Sequence, residues 1–160
     1  MMASAEDEAL TGLWFVGQKH PPRTGEWIPV EENSLFIDLY AWLGEYFAGR
    51  NLHFSLRIDP RGTDFQRSVW DMLLAIPYGG LSTYGAIAEQ IALKRKRPVM
   101  SARAVGGAVG RNPLSIVIPC HRVVGFRGSL TGYAGGIYRK KALLELEGTY
   151  LVSPLRPNRA

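Results

Sequence analysis

The spacing of apolar residues along the chain predicts short strands and amphipathic helices. In the first half, short apolar runs indicate strands at residues 10–16 and 53–58, and a segment rich in Gly, Pro and His indicates a loop at 17–29. Seven further apolar residues recur at helical spacing, namely Leu35, Phe36, Leu39, Trp42, Leu43, Tyr46 and Phe47. A helix with this apolar stripe is expected to pack on the strand at 10–16.

The second half opens with the start signal of a helix. Thr63 and Gln66 have the spacing of a capping box, and the turn-forming residues 77–80 end the apolar pattern that follows. The expected buried face of this helix comprises Phe65, Val69, Met72, Leu73 and Ile76. The Asp-Pro-Arg-Gly sequence at 59–62 predicts a turn before it.

Two further short helices are expected on either side of a basic turn. Ser82 is expected to cap a helix at 83–92, and Ser101 is expected to cap a helix at 102–109. The turn between them contains Lys-Arg-Lys-Arg-Pro at 94–98. This arrangement suggests a helix-turn-helix, although many helical hairpins never contact DNA.

The last third of the chain carries the single cysteine. An apolar run predicts a buried strand at 114–118 that leads directly to Cys120. A glycine-rich loop at 125–136 is suited to line a pocket. A final helix is expected at 140–147, ended by Gly148.

The charges are divided unequally along the chain. Residues 1–80 carry 6 Lys/Arg against 11 Asp/Glu, whereas residues 81–160 carry 13 against 3. A basic half is what binding to a polyanion such as nucleic acid requires, although a solvated basic surface would give the same balance. We expect an N-terminal α/β lobe at 1–61, a basic domain at 62–150 and a loose tail at 151–160.

The composition excludes several classes of protein. Apolar residues make up 46% of the chain and charged residues 21%, so disorder is not expected. No apolar run reaches the roughly 18–20 residues of a membrane helix, and the acidic N-terminus is unlike a signal peptide. We therefore expect a cytoplasmic protein with no membrane partner. One cysteine cannot form an internal disulfide or a cysteine-rich metal site.

Cys120 is the candidate nucleophile, with inert packing as the alternative. It follows Pro119, precedes His121 and lies beside the glycine-rich loop, a setting that favours exposure in a cleft. The imidazole and the Arg122 cation are expected to lower the pKa of the thiol. Because neighbours in a strand point to opposite faces, His121 can assist only if the backbone turns there or a water relays the proton.

His121 needs an acceptor that orients its ring. Glu89, Glu145 and Glu147 are the carboxylates of the basic half, and composition does not choose among them. Glu145 and Glu147 are two residues apart and lie on different faces of the predicted last helix.

Several motifs in a fixed order resemble one family. They are residues 63–91, 103–107 (RAVGG), 112–113 (NP), 118–124 (IPCHRVV) and 133–148. Together they closely resemble the O6-alkylguanine-DNA alkyltransferases, also called methylated-DNA–protein-cysteine methyltransferases. The resemblance is dense over residues 62–148 and weaker at 10–20, and it is specific because it does not depend on any single motif.

The resemblance implies repair of double-stranded DNA that contains O6-alkylguanine, with O4-alkylthymine as a further substrate. The damaged base is rotated out of the helix, and the Cys120 thiolate takes its alkyl group irreversibly, once per molecule. The resemblance further implies that His121 acts as a base through a water and that Glu147 orients His121. Asn112 is implied to brace the turn between the recognition helix and the active site.

The resemblance also assigns contacts with DNA. Arg103 is implied to enter the base stack in place of the extruded nucleotide, and Tyr84 to contact its phosphate and base. Further DNA-binding residues are Ser101, Ala102 and Gly106. The implied base pocket comprises Pro119, Val123, Tyr133 and Ala134.

The resemblance implies an α/β (α+β) fold. A small N-terminal sheet-plus-helix lobe, RNase H-like and shortened, precedes a mainly helical DNA-binding lobe with a helix-turn-helix. Family members begin with additional strand sequence, whereas only residues 1–9 precede the first expected strand, so one or two edge strands are expected to be missing. Some relatives hold zinc through N-terminal cysteines that this chain lacks, so we expect no metal. We also expect no cofactor and a monomer.

Two other functions stay open. A non-catalytic sensor of alkylated DNA would keep Arg103 and Tyr84 while Cys120 stays unreactive. A thiol hydrolase would use Cys120 and His121 on an acyl substrate, but its oxyanion site cannot be identified from the sequence.

Overall fold

A computed structural model describes residues 1–22, 27–30 and 33–149. It has the mixed α/β architecture that was expected, with five α-helices and two small two-stranded sheets in the described residues. The elements are β1 (Met2–Glu6), β2 (Ala9–Trp14), α1 (Ser34–Phe47), α2 (Asp64–Leu74), β3 (Ser82–Thr83), α3 (Tyr84–Lys94), α4 (Ala102–Val109), β4 (Val123–Val124) and α5 (Ile137–Leu146). Short 3₁₀ helices occupy Cys120–Arg122 and Phe126–Gly128.

The N-terminal sheet is an antiparallel hairpin of β1 and β2. Strand β2 confirms the strand predicted at 10–16, although it ends two residues earlier. Strand β1 was not predicted, because its five residues, Met-Ala-Ser-Ala-Glu, lack a clear apolar alternation. Its side chains are held in part by a 2.8 Å hydrogen bond between the hydroxyls of Ser4 and Thr11. The RNase H-like arrangement stays a prediction.

The strands predicted at 53–58 and 114–118 are wrong. Each segment forms one isolated parallel bridge to β2, through Ile58 and Leu114 respectively, and no further ladder. The second segment leaves β2 through a series of turns in which Ile116 adopts a positive φ of 73°. The turn predicted at 59–62 is also wrong, since this stretch has no assigned turn.

Helix α1 is present where the apolar stripe predicted it. Asn33 caps its N-terminus by accepting a hydrogen bond from the amide of Leu35. Leu39 and Tyr46 are buried, but Phe47 is 48% exposed, so the stripe is only partly covered. Leu39 of this helix shares a hydrophobic cluster with Leu10 and Leu13 of β2, in agreement with the expected packing on the strand at 10–16.

Helix α2 begins with the predicted capping box. The Thr63 hydroxyl accepts from the amide of Gln66 at 3.2 Å, and the Gln66 side chain accepts from the amide of Thr63 at 2.9 Å. Trp70 was not among the predicted buried residues, yet its indole is buried and donates to the carbonyl of Ala108 at 3.0 Å. This bond joins α2 to α4.

Replacing Thr63 with Ala is expected to lower the free energy of unfolding by about 1 kcal/mol. The variant leaves the amide of Gln66 without its side-chain acceptor and breaks the reciprocal cap. Urea titration measures the effect. Gln66→Ala is the comparison, and it should cost less because it removes only the acceptor for the Thr63 amide. Equal stability of Thr63→Ala and the wild type would contradict the assignment.

Helices α3 and α4 form the predicted helical pair and pack against each other and against α2. Ser101 caps α4 as expected, accepting from the amide of Ala104. The cap predicted for α3 is wrong, since Thr83 and not Ser82 accepts from the amide of Ala86. Ser82 and Thr83 instead form β3, which pairs in parallel with β4, the strand that follows the 3₁₀ helix at Cys120–Arg122.

Helix α5 begins three residues before its predicted start and ends at Leu146, with Glu147 as its C-cap and Gly148 next at a φ of 74°. A single hydrophobic cluster includes residues from both sides of the boundary expected at 61/62, among them Leu10 and Val69. That boundary stays a prediction, and the tail predicted at 151–160 lies outside the described residues. Within the described part of the chain, no helix is long and apolar enough to cross a membrane.

Candidate active site and DNA-binding surface

Cys120 lies at the start of a 3₁₀ helix and not at the end of a strand. In a regular strand, the side chains of Cys120 and His121 would point to opposite faces. The 3₁₀ helix instead provides the backbone turn between them that the sequence analysis required. The thiol is buried, with only 4% of the residue exposed, so the expected exposure in a cleft is wrong for the sulfur itself.

Asn112 is hydrogen-bonded to the segment that carries Cys120. Its side-chain amide donates to the carbonyl of Ile118 at 2.7 Å and to Cys120 Sγ at 3.0 Å, while its oxygen accepts from the amide of Leu114 at 2.9 Å. Asn112 follows the end of α4. One buried side chain thus connects the end of that helix with the sulfur.

The environment of Cys120 favours the protonated thiol. Burial raises the pKa of the Cys120 thiol, and the hydrogen bond from Asn112 and the charge of Lys140 oppose this effect only in part. The expected help from Arg122 does not arise, because its guanidinium faces Glu147 and the carbonyl of Ile76. A proton acceptor is therefore needed before the sulfur can act as a nucleophile.

His121, the next residue in the chain, is fully buried. Burial lowers its pKa, so the ring is neutral near pH 7. Its Nε2 lies 2.8 Å from Oε1 of Glu147, and since the carboxylate can only accept, Nε2 carries the proton. Nδ1 is then the free base, and it is buried without a hydrogen-bond partner in the described structure.

Glu147 is the carboxylate that contacts His121. Glu145 is exposed and pairs with Lys141, and Glu89 is exposed on α3. Burial alone would raise the pKa of Glu147, but hydrogen bonds from His121, Arg122 and Tyr46 hold it well below its usual range. Glu147 is therefore an anion near neutral pH.

Lys140 is a buried cation that the sequence analysis did not single out. Its ammonium donates to the backbone carbonyls of Val123 and Thr131 and lies 5.9 Å from the ring centre of Tyr84. Burial lowers its pKa to about 8, and the neighbouring Cys120 charge opposes this shift. The contacts of Lys140 hold the glycine-rich loop against β4.

Replacing Lys140 with Met is expected to remove a pH-dependent part of the stability. The folded pKa of about 8 lies below the ordinary 10.5, so burial of the charged form reduces the stability below about pH 8, and this loss is relieved as the pH rises towards 10.5. As the pH rises over this range, the free energy of unfolding of the wild type should increase by about 3 kcal/mol relative to that of the variant.

Urea titrations at pH 7, 8.5 and 10 measure this shift, in a Cys120→Ala background that removes the titration of the thiol. Lys141→Met changes the exposed neighbouring lysine and is the control for loss of a positive charge on the same helix. A constant difference for Lys140→Met would contradict the expectation.

A cleft of about 710 Å³ opens beside the cysteine. It is lined by six of the residues assigned from the resemblance, namely Tyr84, Ala102, Arg103, Gly106, Tyr133 and Ala134. The sulfur does not line the cleft, but its charge affects the pKa values of Tyr84 and Tyr133, both of which do. These two tyrosines therefore line the cleft and are also near the thiol.

The residues assigned from the resemblance differ in their exposure. Ser101, Ala102 and Arg103 are exposed at the start of α4. Pro119 and Val123 are buried next to the thiol and do not line the cleft. Exposed cations extend the surface around α3 and α4, and they include Lys94, Arg95, Lys96, Arg97 and Arg111.

Comparison with known proteins agrees with this geometry. The family described as "6-O-methylguanine DNA methyltransferase, DNA binding domain" matches residues 64–149. The methylated-DNA–protein-cysteine methyltransferase of Mycobacterium leprae is 43% identical over 97% of this chain and 90% of its own length. The chain belongs to the methylated-DNA–protein-cysteine methyltransferase family. The resemblance inferred from the sequence motifs is thereby confirmed.

Further relatives extend across bacteria and archaea. The methyltransferase of the same name from Methanosarcina acetivorans is 41% identical over 93% of this chain and 92% of its own length. The crystal structure of Mycobacterium tuberculosis OGT in complex with DNA matches with a TM-score of 0.81 and 46% identity, covering 91% of this chain and 85% of that one. The fold and the family are thus supported independently.

Sequence reasoning missed two buried residues near the thiol. Lys140 lies three and four positions before Leu143 and Leu144 and seven before Glu147, which places it on the buried face of α5. A charged residue in this otherwise apolar row was the sequence signal that indicated a buried cation. Tyr46 was included in the stripe of α1 only as an apolar residue. Nothing in its local sequence indicated that its hydroxyl would reach Glu147.

Proposed function

We propose that the protein repairs alkylated DNA by transferring the alkyl group of O6-alkylguanine to Cys120, once and irreversibly. The observation that carries the proposal is a pair of buried hydrogen bonds, Asn112 to Cys120 and His121 to Glu147, on consecutive residues beside a cleft bordered by α4. Relatives across the family are named methylated-DNA–protein-cysteine methyltransferases, and the solved structure of one contains DNA. O4-alkylthymine is proposed as a second substrate.

The proposed step begins with the removal of a proton from the thiol. A water between Sγ of Cys120 and Nδ1 of His121 relays this proton, because Nδ1 is the unprotonated nitrogen and faces no protein donor in the described structure. Glu147 fixes this tautomer and stabilises the imidazolium that forms. Asn112 donates to the sulfur and stabilises the developing thiolate.

The thiolate then displaces guanine in line. The new S–C bond forms as the C–O6 bond breaks, and the electron pair of the broken bond passes to the guanine. The guanine takes up one proton, which balances the proton lost by the thiol. The product is a thioether, and since the chain has one cysteine, no second thiol can remove the alkyl group. Each molecule therefore acts once.

The cleft is proposed to receive the extruded base. Tyr84 and Tyr133 line it with aromatic surface, and stacking on such surfaces offsets part of the cost of extrusion. Arg103 is exposed at the start of α4, where its cation can replace the extruded nucleotide in the DNA stack. The exposed cations of α3 and α4 bind the phosphates on either side.

The test uses duplex DNA with one O6-methylguanine labelled in the methyl group. After incubation and digestion of the protein, the label should be found on the peptide that contains Cys120, at no more than one equivalent. A duplex of the same sequence that carries its labelled methyl group at a position other than O6 of guanine is the control, and Cys120→Ala should take up no label. A wild-type protein that binds the damaged duplex but carries no label would instead be a sensor, and hydrolysis of an activated ester beyond one equivalent would favour a thiol hydrolase.

A further inference from the structure

Tyr46 brings a hydroxyl from the first half of the chain into the buried network. It lies in the last turn of α1 and is 3% exposed. Its ring stacks on Trp42 at 5.5 Å between centroids and meets Tyr78 edge-on at 6.1 Å. These aromatic contacts fix the ring, so the hydroxyl has one direction in which to point.

The hydroxyl of Tyr46 donates to Oε1 of Glu147 at 2.6 Å. The same oxygen accepts from Nε2 of His121 at 2.8 Å, and the hydroxyl lies 3.5 Å from that nitrogen. Tyr46 and His121 therefore share one carboxylate oxygen. An additional donor to a carboxylate oxygen makes that oxygen a weaker hydrogen-bond acceptor for the imidazole.

The other contacts of Glu147 come from the second half of the chain. Arg122 donates to both carboxylate oxygens at 2.8 and 2.9 Å, and the amide of Gly79 donates to Oε2 at 3.2 Å. Among the donors to Glu147 in the described structure, Tyr46 alone comes from residues 1–61. The carboxylate is thus held in position from both halves of the chain.

We propose that Tyr46 is a positioning residue for alkyl transfer, which holds Glu147 and limits how strongly this carboxylate binds the proton on Nε2 of His121. The inference rests on the proposed function. It gives the N-terminal half a direct effect on the reaction, through a residue that touches neither the DNA nor the alkyl group. The charged and titratable groups that face His121 are Glu147, Tyr46, Arg122 and Lys140, and the Cys120 thiol precedes it in the chain.

The direction of the effect follows from the shared oxygen. Without the hydroxyl of Tyr46, Oε1 of Glu147 is a stronger acceptor, the imidazolium form of His121 is favoured, and a higher pH is needed to obtain the neutral base. The acid limb of the rate profile should therefore move to higher pH. A shift of about half to one pH unit would lower the rate on that limb by roughly three- to tenfold and leave the plateau at high pH nearly unchanged.

The test compares Tyr46→Phe with the wild type in transfer from free O6-benzylguanine, which avoids any effect on DNA binding, between pH 4.5 and 9. Tyr40→Phe makes the same change at an 81% exposed position on the same helix and should leave the profile unchanged. Thermal unfolding checks that the variants are folded. Superimposable profiles, or a rate reduced equally at every pH, would overturn the proposal.

A second variant covers the case in which Tyr46→Phe does not fold. Site-specific 3-fluorotyrosine at position 46 keeps the hydroxyl and makes it a stronger donor, so the acid limb should move to lower pH. A limb that stays in place in this variant also overturns the proposal. The labelled-DNA assay on the wild type distinguishes failure of the proposed function from failure of the role of Tyr46. Absence of transfer in that assay refutes the proposed function. Transfer by the wild type, together with an acid limb that does not move in the Tyr46 variants, refutes only the role of Tyr46.

Discussion

Replacing Glu147 with Gln is expected to slow alkyl transfer by about a hundredfold or more, the range of a lost general base. The amide of Gln can present its NH₂ group to Nε2 of His121, and the imidazole then carries its proton on Nδ1. In that tautomer Nδ1 can no longer accept the proton of the Cys120 thiol. The side chain has nearly the same shape, so the loss reports the tautomer and the charge and not an altered cleft.

The same substitution is expected to destabilise the fold by about 3–5 kcal/mol, because it leaves the buried guanidinium of Arg122 without its carboxylate. Wild-type stability should also fall in acid. Since the pKa of Glu147 is held below that of the unfolded chain, its contribution is present above about pH 4.5 and is lost as the pH falls through the folded value. Glu147→Gln should lack this component of the acid loss.

Transfer from free O6-benzylguanine and urea titration between pH 3 and 7 measure these two effects. Glu145→Gln is the matched control, because it changes an exposed carboxylate on the same helix that pairs with Lys141 alone. It should match the wild type in rate and lie within about 0.5 kcal/mol of it in stability. If Glu147→Gln transferred as fast as the wild type, His121 would not be the base.

The fold could be predicted from the sequence where local signals decide the structure. Three such signals involve residues close together in the chain, and each is present as expected. They are the apolar stripe of α1, the capping box of Thr63 and the cap of α4 by Ser101. The predicted strands at 53–58 and 114–118 failed because an apolar run shows burial but not pairing. Both runs are placed against β2, where each finds only a single bridge.

The candidate site also contains some residues that a local sequence signal indicated and others that it did not. The sequence alone indicated Cys120 as the candidate nucleophile, with His121 able to assist only if the backbone turned or a water relayed the proton. The choice of Glu147 over Glu145 came from the family resemblance, and the structure shows a physical basis in the burial of one face of α5. Tyr46 reaches Glu147 across 101 positions, and contacts at this separation leave no local pattern.

Replacing Arg103 with Ala is expected to reduce repair of duplex DNA by about a hundredfold while leaving transfer from free O6-benzylguanine unchanged. Extrusion of a base costs a few kcal/mol, and about 2.7 kcal/mol of lost compensation corresponds to two orders of magnitude in rate. Arg103 is exposed on α4 and lines the mouth of the cleft, and it makes no contact with Cys120 or His121 in the described structure. The loss should therefore depend entirely on whether the base must first leave a helix.

Single-turnover rates on duplex, on single-stranded DNA and on the free base separate these contributions. Single-stranded DNA should show a smaller loss than duplex, because its bases are less stacked. Arg111→Ala removes an exposed cation just beyond α4 and serves as the control for charge alone. It should weaken binding in a salt-dependent manner with a much smaller effect on the transfer rate of the bound complex. Equal losses for Arg103→Ala on duplex and on the free base would place this side chain in the chemistry of transfer and not in extrusion.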